Sequence, residues 1–76
     1  MRLEYDPDSG AAYIRLRSAS VAGTTEIAPG VLMDMGEDGL PVGFELLNAT
    51  AVLGGAPKDV EFVLMSKATV HGARKP

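Results

Sequence analysis

Residues 31–47, Val-Leu-Met-Asp-Met-Gly-Glu-Asp-Gly-Leu-Pro-Val-Gly-Phe-Glu-Leu-Leu, constrain the fold of this chain more than any other stretch. Two apolar runs flank a polar Gly36-Glu37-Asp38-Gly39 centre, the pattern of a β-hairpin. Asp38-Gly39 supplies the positive-φ positions that a tight turn requires. Val31, Met33 and Met35 share one face, and Val42, Phe44 and Leu46 share one face of the return strand. A period of two on both arms means strand and not helix. The stretch explains a fold; it carries no chemistry of its own.

The flanks continue the pattern. Arg2 to Asp6 alternates, with Leu3 and Tyr5 on one side, and Asp6-Pro7-Asp8-Ser9-Gly10 gathers the main turn formers. Ala11 to Arg17 reads as a second strand, with Ala12, Ile14 and Leu16 facing one way and Tyr13, Arg15 and Arg17 the other. Val21 to Ala28 reads as a third, rich in β-formers, with Ile27 on the face that must be buried and a bulge or close approach expected at Gly23. Pro29-Gly30 turns the chain into the central hairpin, where Pro41 must start its strand or face its nitrogen outward, and Gly43 is a second candidate bulge. After Leu47 the period changes. Asn48 caps one or two helical turns that Gly54-Gly55 stops, and Val60 to Met65 reads as a further strand. The expected fold is mainly β: an antiparallel meander of five to six short strands, consecutive strands adjacent, with at most a short helix after residue 47.

Size and charge narrow what such a chain can do. Seventy-six residues lie near the lower limit for a self-sufficient core, and without cysteine there is no disulfide to staple it. The organisation expected is one small domain over residues 1–66 and a flexible basic tail over 67–76, frayed from residue 70. Residues 1–66 hold four basic and ten acidic side chains, a balance of −6; residues 67–76 hold Lys67, Arg74 and Lys75 and no acid, a balance of +3. The body repels nucleic acid, and three spaced charges are too few for a phosphate-binding arm. No stretch approaches a membrane span, so no membrane partner and a cytoplasmic location are expected.

Two ordered blocks resemble a known family. Tyr5-Asp6-Pro7 with Ala11 and Tyr13-Ile14, then Glu26-Ile27, Gly30-Val31, Asp34, Asp38-Gly39 and Val42-Gly43-Phe44-Glu45-Leu46-Leu47, are similar to the small bacterial proteins of the domain of unknown function 2283 family over about residues 3–50. The resemblance implies a short, stand-alone, β-rich protein and no defined activity. Some members are encoded beside small putative toxins, which implies an antitoxin-like role for part of the family. Members often carry aspartate where this chain has Gly10 and Gly36, so any cation-binding role of those loops would have lost ligands here.

The candidate chemistry is thin. Asp34, Glu37 and Asp38 cluster, as do Asp6 and Asp8, but Gly36 breaks the alternation a calcium loop needs, and turn-forming acids are the better reading. His71 alone makes no zinc site. Glu45 shares a side with Tyr13, yet no third group converges on them, so neither enzymatic activity nor a cofactor is expected. Tyr5 and Phe44 match the core parity of their strands. Tyr13, Arg15, Arg17, Leu32, Glu45 and Leu47 form the opposite face, which is either an ordinary solvated surface or a contact surface of the Tyr- and Arg-containing kind. That second face is also not cleanly polar, so burial demands a homodimer or higher oligomer. The reading is a protein–protein interaction module, self-associating and suited to a basic protein partner. The alternatives are a small metal-dependent or hydrolytic enzyme and a nucleic-acid-binding regulator using the basic tail.

Overall fold

Val42, Gly43 and Leu46 are buried, and the strand that carries them is flanked on both sides. In the computed structural model, which describes residues 1–66, five strands form one antiparallel sheet: β1 (Arg2–Asp6), β2 (Ala11–Arg15), β3 (Gly23–Ala28), β4 (Val31–Met35) and β5 (Pro41–Leu46). A single short helix, α1 (Ala49–Leu53), follows. The spatial order is β1-β2-β5-β4-β3. The mainly β class, the five antiparallel strands and the one helix are as expected.

Adjacency departs from the expectation at one junction. β2 pairs with β5 and not with β3, so the sheet joins a β1–β2 hairpin to a β3–β4–β5 meander. Burial explains the choice: every residue of β3 is exposed, whereas β5 has three buried residues. A strand reading Gly-Thr-Thr-Glu-Ile-Ala gains little from a central position and is placed at the edge. Leu16 N–H donates to Val42 O at 2.8 Å and Ala22 N–H to Met35 O at 2.7 Å, so the β2–β3 connection stays tied to the sheet at both ends.

The apolar face runs as Leu3 and Ile14, then Phe44 and Met33, with Tyr5, Ala12, Leu46 and Val31 in the neighbouring row. One assignment is corrected. A bulge at Ile27 lets Ala28, and not Ile27, stand opposite Val31, and Ile27 is 51% exposed. One extra residue inverts the parity of everything beyond it. Gly23 makes no bulge; it simply opens β3, paired in register with Met35, and a Cβ there would meet open space. The second irregularity falls between Asp34 and Met35, where Pro41 and not Val42 pairs with Met35. Pro41 stands first in its strand, where its missing N–H does no harm.

The core is small. Ala12, Leu46 and Ala49 are buried together, with Tyr5, Ile14 and Val31 packed around them, and Val42 is wholly enclosed. Helix α1 supplies Ala49. Asn48 caps it by accepting from Ala51 N–H at 3.4 Å, Gly54 closes it in the left-handed conformation, and Ala49 N–H donates to Gly10 O at 2.8 Å, tying helix to β1–β2 turn. The strand expected over residues 60–65 is absent: residues 56–66 have no regular structure. A β-rich run becomes a strand only where an edge receives it, and neither β1 nor β3 does so. The tail expected over residues 67–76 lies outside the described residues. The radius of gyration, 15.8 Å, exceeds the roughly 11 Å of a compact chain this short.

In the β4–β5 loop, Gly39 N–H donates to Gly36 O at 3.1 Å and Gly36 N–H to Leu40 O at 2.9 Å. Gly39 alone is left-handed there, at φ +80°; Asp38 keeps negative φ, contrary to the pair of positive-φ positions expected. This is the longer loop in which one left-handed residue follows a turn. Gly39→Val is therefore expected to lower stability by about 1–3 kcal/mol, read as a fall in the midpoint of a urea titration at unchanged slope.

Candidate functional site

One row of residues crosses all five strands on the face opposite the core. The register aligns Glu4 with Tyr13, Tyr13 with Glu45, Glu45 with Leu32 and Leu32 with Glu26. Strands lie about 4.8 Å apart, so carboxylates recur about every 10 Å along the row, separated by an aromatic and an aliphatic side chain. Glu4 is engaged by Arg2 at 2.9 Å, and Glu26 accepts from Gly30 N–H at 3.1 Å. Glu45, in the middle, has no hydrogen-bond or ion-pair partner among the described residues.

Tyr13 is held in place by an absence. Gly43 lies beside it on β5, and a Cβ there would stand 2.5 Å from the Tyr13 hydroxyl and 2.7 Å from Ile14 O. Without that Cβ the phenol lies across β5 and donates to Asp34 Oδ2 on β4 at 2.9 Å. Thr24 on β3 donates to Asp34 Oδ1 at 2.7 Å. Three side chains thereby link β2, β4 and β3 on one surface, the first link passing across β5. Arg15 adds its guanidinium 5.8 Å from the Tyr13 ring centre, within cation–π range.

The phenol is a donor here. Burial and then the hydrogen bond to Asp34 push its pKa above the usual tyrosine value, with the Asp34 and Glu45 charges acting the same way and Arg15 opposing them. A nucleophilic phenol requires the opposite shift. The ring thus lies among the Asp34 and Glu45 carboxylates, hydrogen-bonded to the first.

Of the residues expected on this face, Tyr13, Leu32 and Glu45 meet in the row and Arg15 borders it. Leu47 follows β5 and is 49% exposed, its N–H donating to Gly30 O at 2.8 Å. Arg17 is elsewhere. Beyond the end of β2 it grips the β4–β5 loop: Nη1 and Nη2 donate to the two Asp38 carboxylate oxygens at 3.0 and 2.8 Å, Nε to Pro41 O and Nη2 to Leu40 O at 3.0 Å each. The Arg17 hydrogen bonds, followed by the Leu40 N–H, hold the Asp38 carboxyl below its ordinary pKa. A shallow depression of about 280 Å³ opens beside this clamp, between Arg17, Ser20 and Glu37.

Glu4, Glu26, Asp34 and Thr24 escaped the sequence reading as site residues. Glu4 had the right parity, but Asp34 and Thr24 become visible only once β5 is known to lie between β2 and β4. The turn acids act locally: Asp6 Oδ1 accepts from Asp8 N–H at 2.9 Å and Asp38 Oδ1 from Leu40 N–H at 3.0 Å. Among the described residues no three His, Cys, Asp or Glu side chains are grouped to hold a metal. Nor is any helix among them long and apolar enough to cross a membrane.

The family model described as protein of unknown function (DUF2283) matches residues 2–49, from the first strand to the start of α1. No curated protein and no solved structure matches the chain.

Gly43→Ala is expected to destabilise the fold by about 1–3 kcal/mol, because Ile14 O is backbone and cannot step aside; chemical denaturation reads it. Tyr13→Phe is expected to cost about 1 kcal/mol. Since the folded phenol pKa is raised, the contribution of the Tyr13–Asp34 bond is complete below the unfolded value of about 10 and is lost as pH rises through the folded value. Absorbance titration should show one of the two tyrosines ionising late, and Tyr13→Phe should remove that late step.

Proposed function

Given that the chain belongs to the DUF2283 family, itself described as of unknown function, we propose that it is a protein–protein interaction module that self-associates and binds a basic protein partner. The observation that carries this reading is the row Glu4–Tyr13–Glu45–Leu32–Glu26, in which the central Glu45 carboxylate has no partner among the described residues. An unpaired acid flanked by a fixed aromatic ring and an aliphatic side chain matches an arginine or lysine whose stem lies on the apolar neighbours while its head meets the carboxylate. The −6 balance of residues 1–66 adds long-range attraction for such a partner and speeds encounter at low salt.

The self-association half rests on burial. Only Ala12, Val42, Leu46 and Ala49 are buried apolar residues among those described, too few for a chain without disulfides to stand well alone. An antitoxin-like role, neutralising a small basic toxin, is the specific form of the partner reading. It fits an acidic module whose contact face holds Tyr13 by a hydrogen bond to Asp34.

Co-purification of the untagged protein from its native host, followed by kinetics with the recovered partner, tests the reading. The on-rate should fall steeply as salt rises, and Glu45→Lys should weaken binding by about tenfold or more while leaving the thermal midpoint nearly unchanged. A partner whose on-rate is flat with salt, or whose affinity ignores Glu45→Lys, sinks the row as the binding site.

A further inference from the structure

The chain ends its described part on an apolar run with nothing to pack on. Phe62 is 85% exposed and Leu64 84%, and Val60, Val63 and Met65 are also exposed. Among the described residues, no hydrogen bond engages residues 59–66. Such a run, β-rich, nearly uncharged and with unpaired backbone, is adhesive and does not persist in water uncovered.

The same molecule lacks a cover of matching chemistry. Residues 53–60 line an open depression of about 390 Å³ with Leu3 and Ile14 at the β1–β2 side, and α1 packs on Ala12 and Leu46. Toward β4 and β3 the apolar face continues through Met33, Met35 and Phe44, which are only half-buried and lie outside that cluster. Residues 61–65 are all exposed, so their apolar side chains are not packed on that half of the face.

We infer that residues 60–65 form an arm that seats on Met33, Met35 and Phe44 of a second copy, reciprocally, about a two-fold axis. This deepens the self-association proposed above and rests on it. Area supports the assignment. The five apolar side chains of one arm present on the order of 700 Å², so two arms alone reach the roughly 1,200–2,000 Å² of a stable interface before the receiving face is counted. Charge supports it too: between Val60 and Met65 only Glu61 is ionic, and the receiving patch has no charged member on its face. A reciprocal exchange satisfies arm and face together, as an isologous contact must.

The chain contains no cysteine, which makes cross-linking clean. Two single-cysteine chains, Met33→Cys and Leu64→Cys, are refolded together and treated with a short bismaleimide, while light scattering gives the mass of the untreated protein. The arm exchange is supported by a dimeric mass together with a cross-linked pair containing one of each chain. A dimeric mass without that pair, or a chain carrying both cysteines that closes on itself as a monomer, overturns the arm while self-association stands. A monomeric mass overturns both. Phe62→Asp with Leu64→Asp guards against misfolding of the cysteine chains: it should raise the dimer dissociation constant 100-fold or more with the β-sheet circular dichroism intact. Retention of wild-type dimer affinity in that variant also overturns the arm.

Discussion

The central strand β5 has almost no side chain to spare, and the sheet depends on that. Its alternate residues serve opposite surfaces: Phe44 and Leu46 turn to the apolar face, Gly43 and Glu45 to the polar one. Gly43 is the critical member. A methyl group at that position would meet both a hydroxyl and a main-chain oxygen of β2, and the phenol that crosses there is the link from β2 to Asp34 on β4 and through it to Thr24 on β3. The outer strand β3, fully exposed and paired on one side only, is tied through Thr24 to the same carboxylate that receives the Tyr13 hydroxyl. At the other end of β5 the Arg17 clamp does similar work. It fixes the loop that delivers Pro41 into the strand and turns the chain away from β2 toward the far edge.

That clamp is solvent-exposed and its contribution to stability is correspondingly small; its value is geometric. Four hydrogen bonds from one guanidinium to a single loop leave it few alternatives. Because the Asp38 pKa is lowered in the folded state, the contribution is present above the ordinary carboxylate range and fades as pH falls through the folded value. At the opposite extreme Tyr13 ionises. The two groups loosen different junctions of β5, the loop end in acid and the crossing over Gly43 in alkali, while the small apolar cluster around Leu46 is indifferent to both.

Local chemistry was legible in the residues and long-range pairing was not. The central hairpin, the parity of Val31, Met33, Phe44 and Leu46, the start of β5 at Pro41 and the Asn48–Gly54 caps all follow from neighbours within a few positions. The insertion of β5 between β2 and β4 does not, since it depends on comparing the burial that each strand would gain at the centre. The Ile27 bulge was equally hidden, and it misplaced Ile27 in the core because a period of two has no memory of an inserted residue. Residues 60–65 have strand composition and no strand partner, and composition cannot report whether an edge is available. Within the candidate site, Tyr13, Leu32 and Glu45 were found by parity alone. Arg17 lies past the last paired residue of β2, where parity ceases to apply, and its bonds to the β4–β5 loop depend on a neighbour unknown from sequence. Asp34 was read as a turn acid, its role as acceptor of the Tyr13 hydroxyl depending on a neighbour unknown from sequence.

The alternation of β5 also separates the two associations argued for this chain. An arm seated on Met33, Met35 and Phe44 occupies the face opposite Tyr13, Glu45 and Leu32, so dimerisation leaves the acidic row open. A two-fold dimer then carries two identical rows on its outer surfaces. For a partner with one basic segment this doubles capacity and leaves each affinity unchanged. For a partner that is itself dimeric it adds effective concentration at the second contact, provided the spans match. The single sheet is thin enough that whatever stiffens one face is felt on the other: Gly43 and Phe44 are consecutive residues of one strand. Covering Phe44 with a partner's arm restrains the backbone over which Tyr13 lies, and a rigid Tyr13 loses less freedom on meeting a partner. Self-association and partner binding are therefore expected to reinforce each other through β5, without any residue belonging to both surfaces.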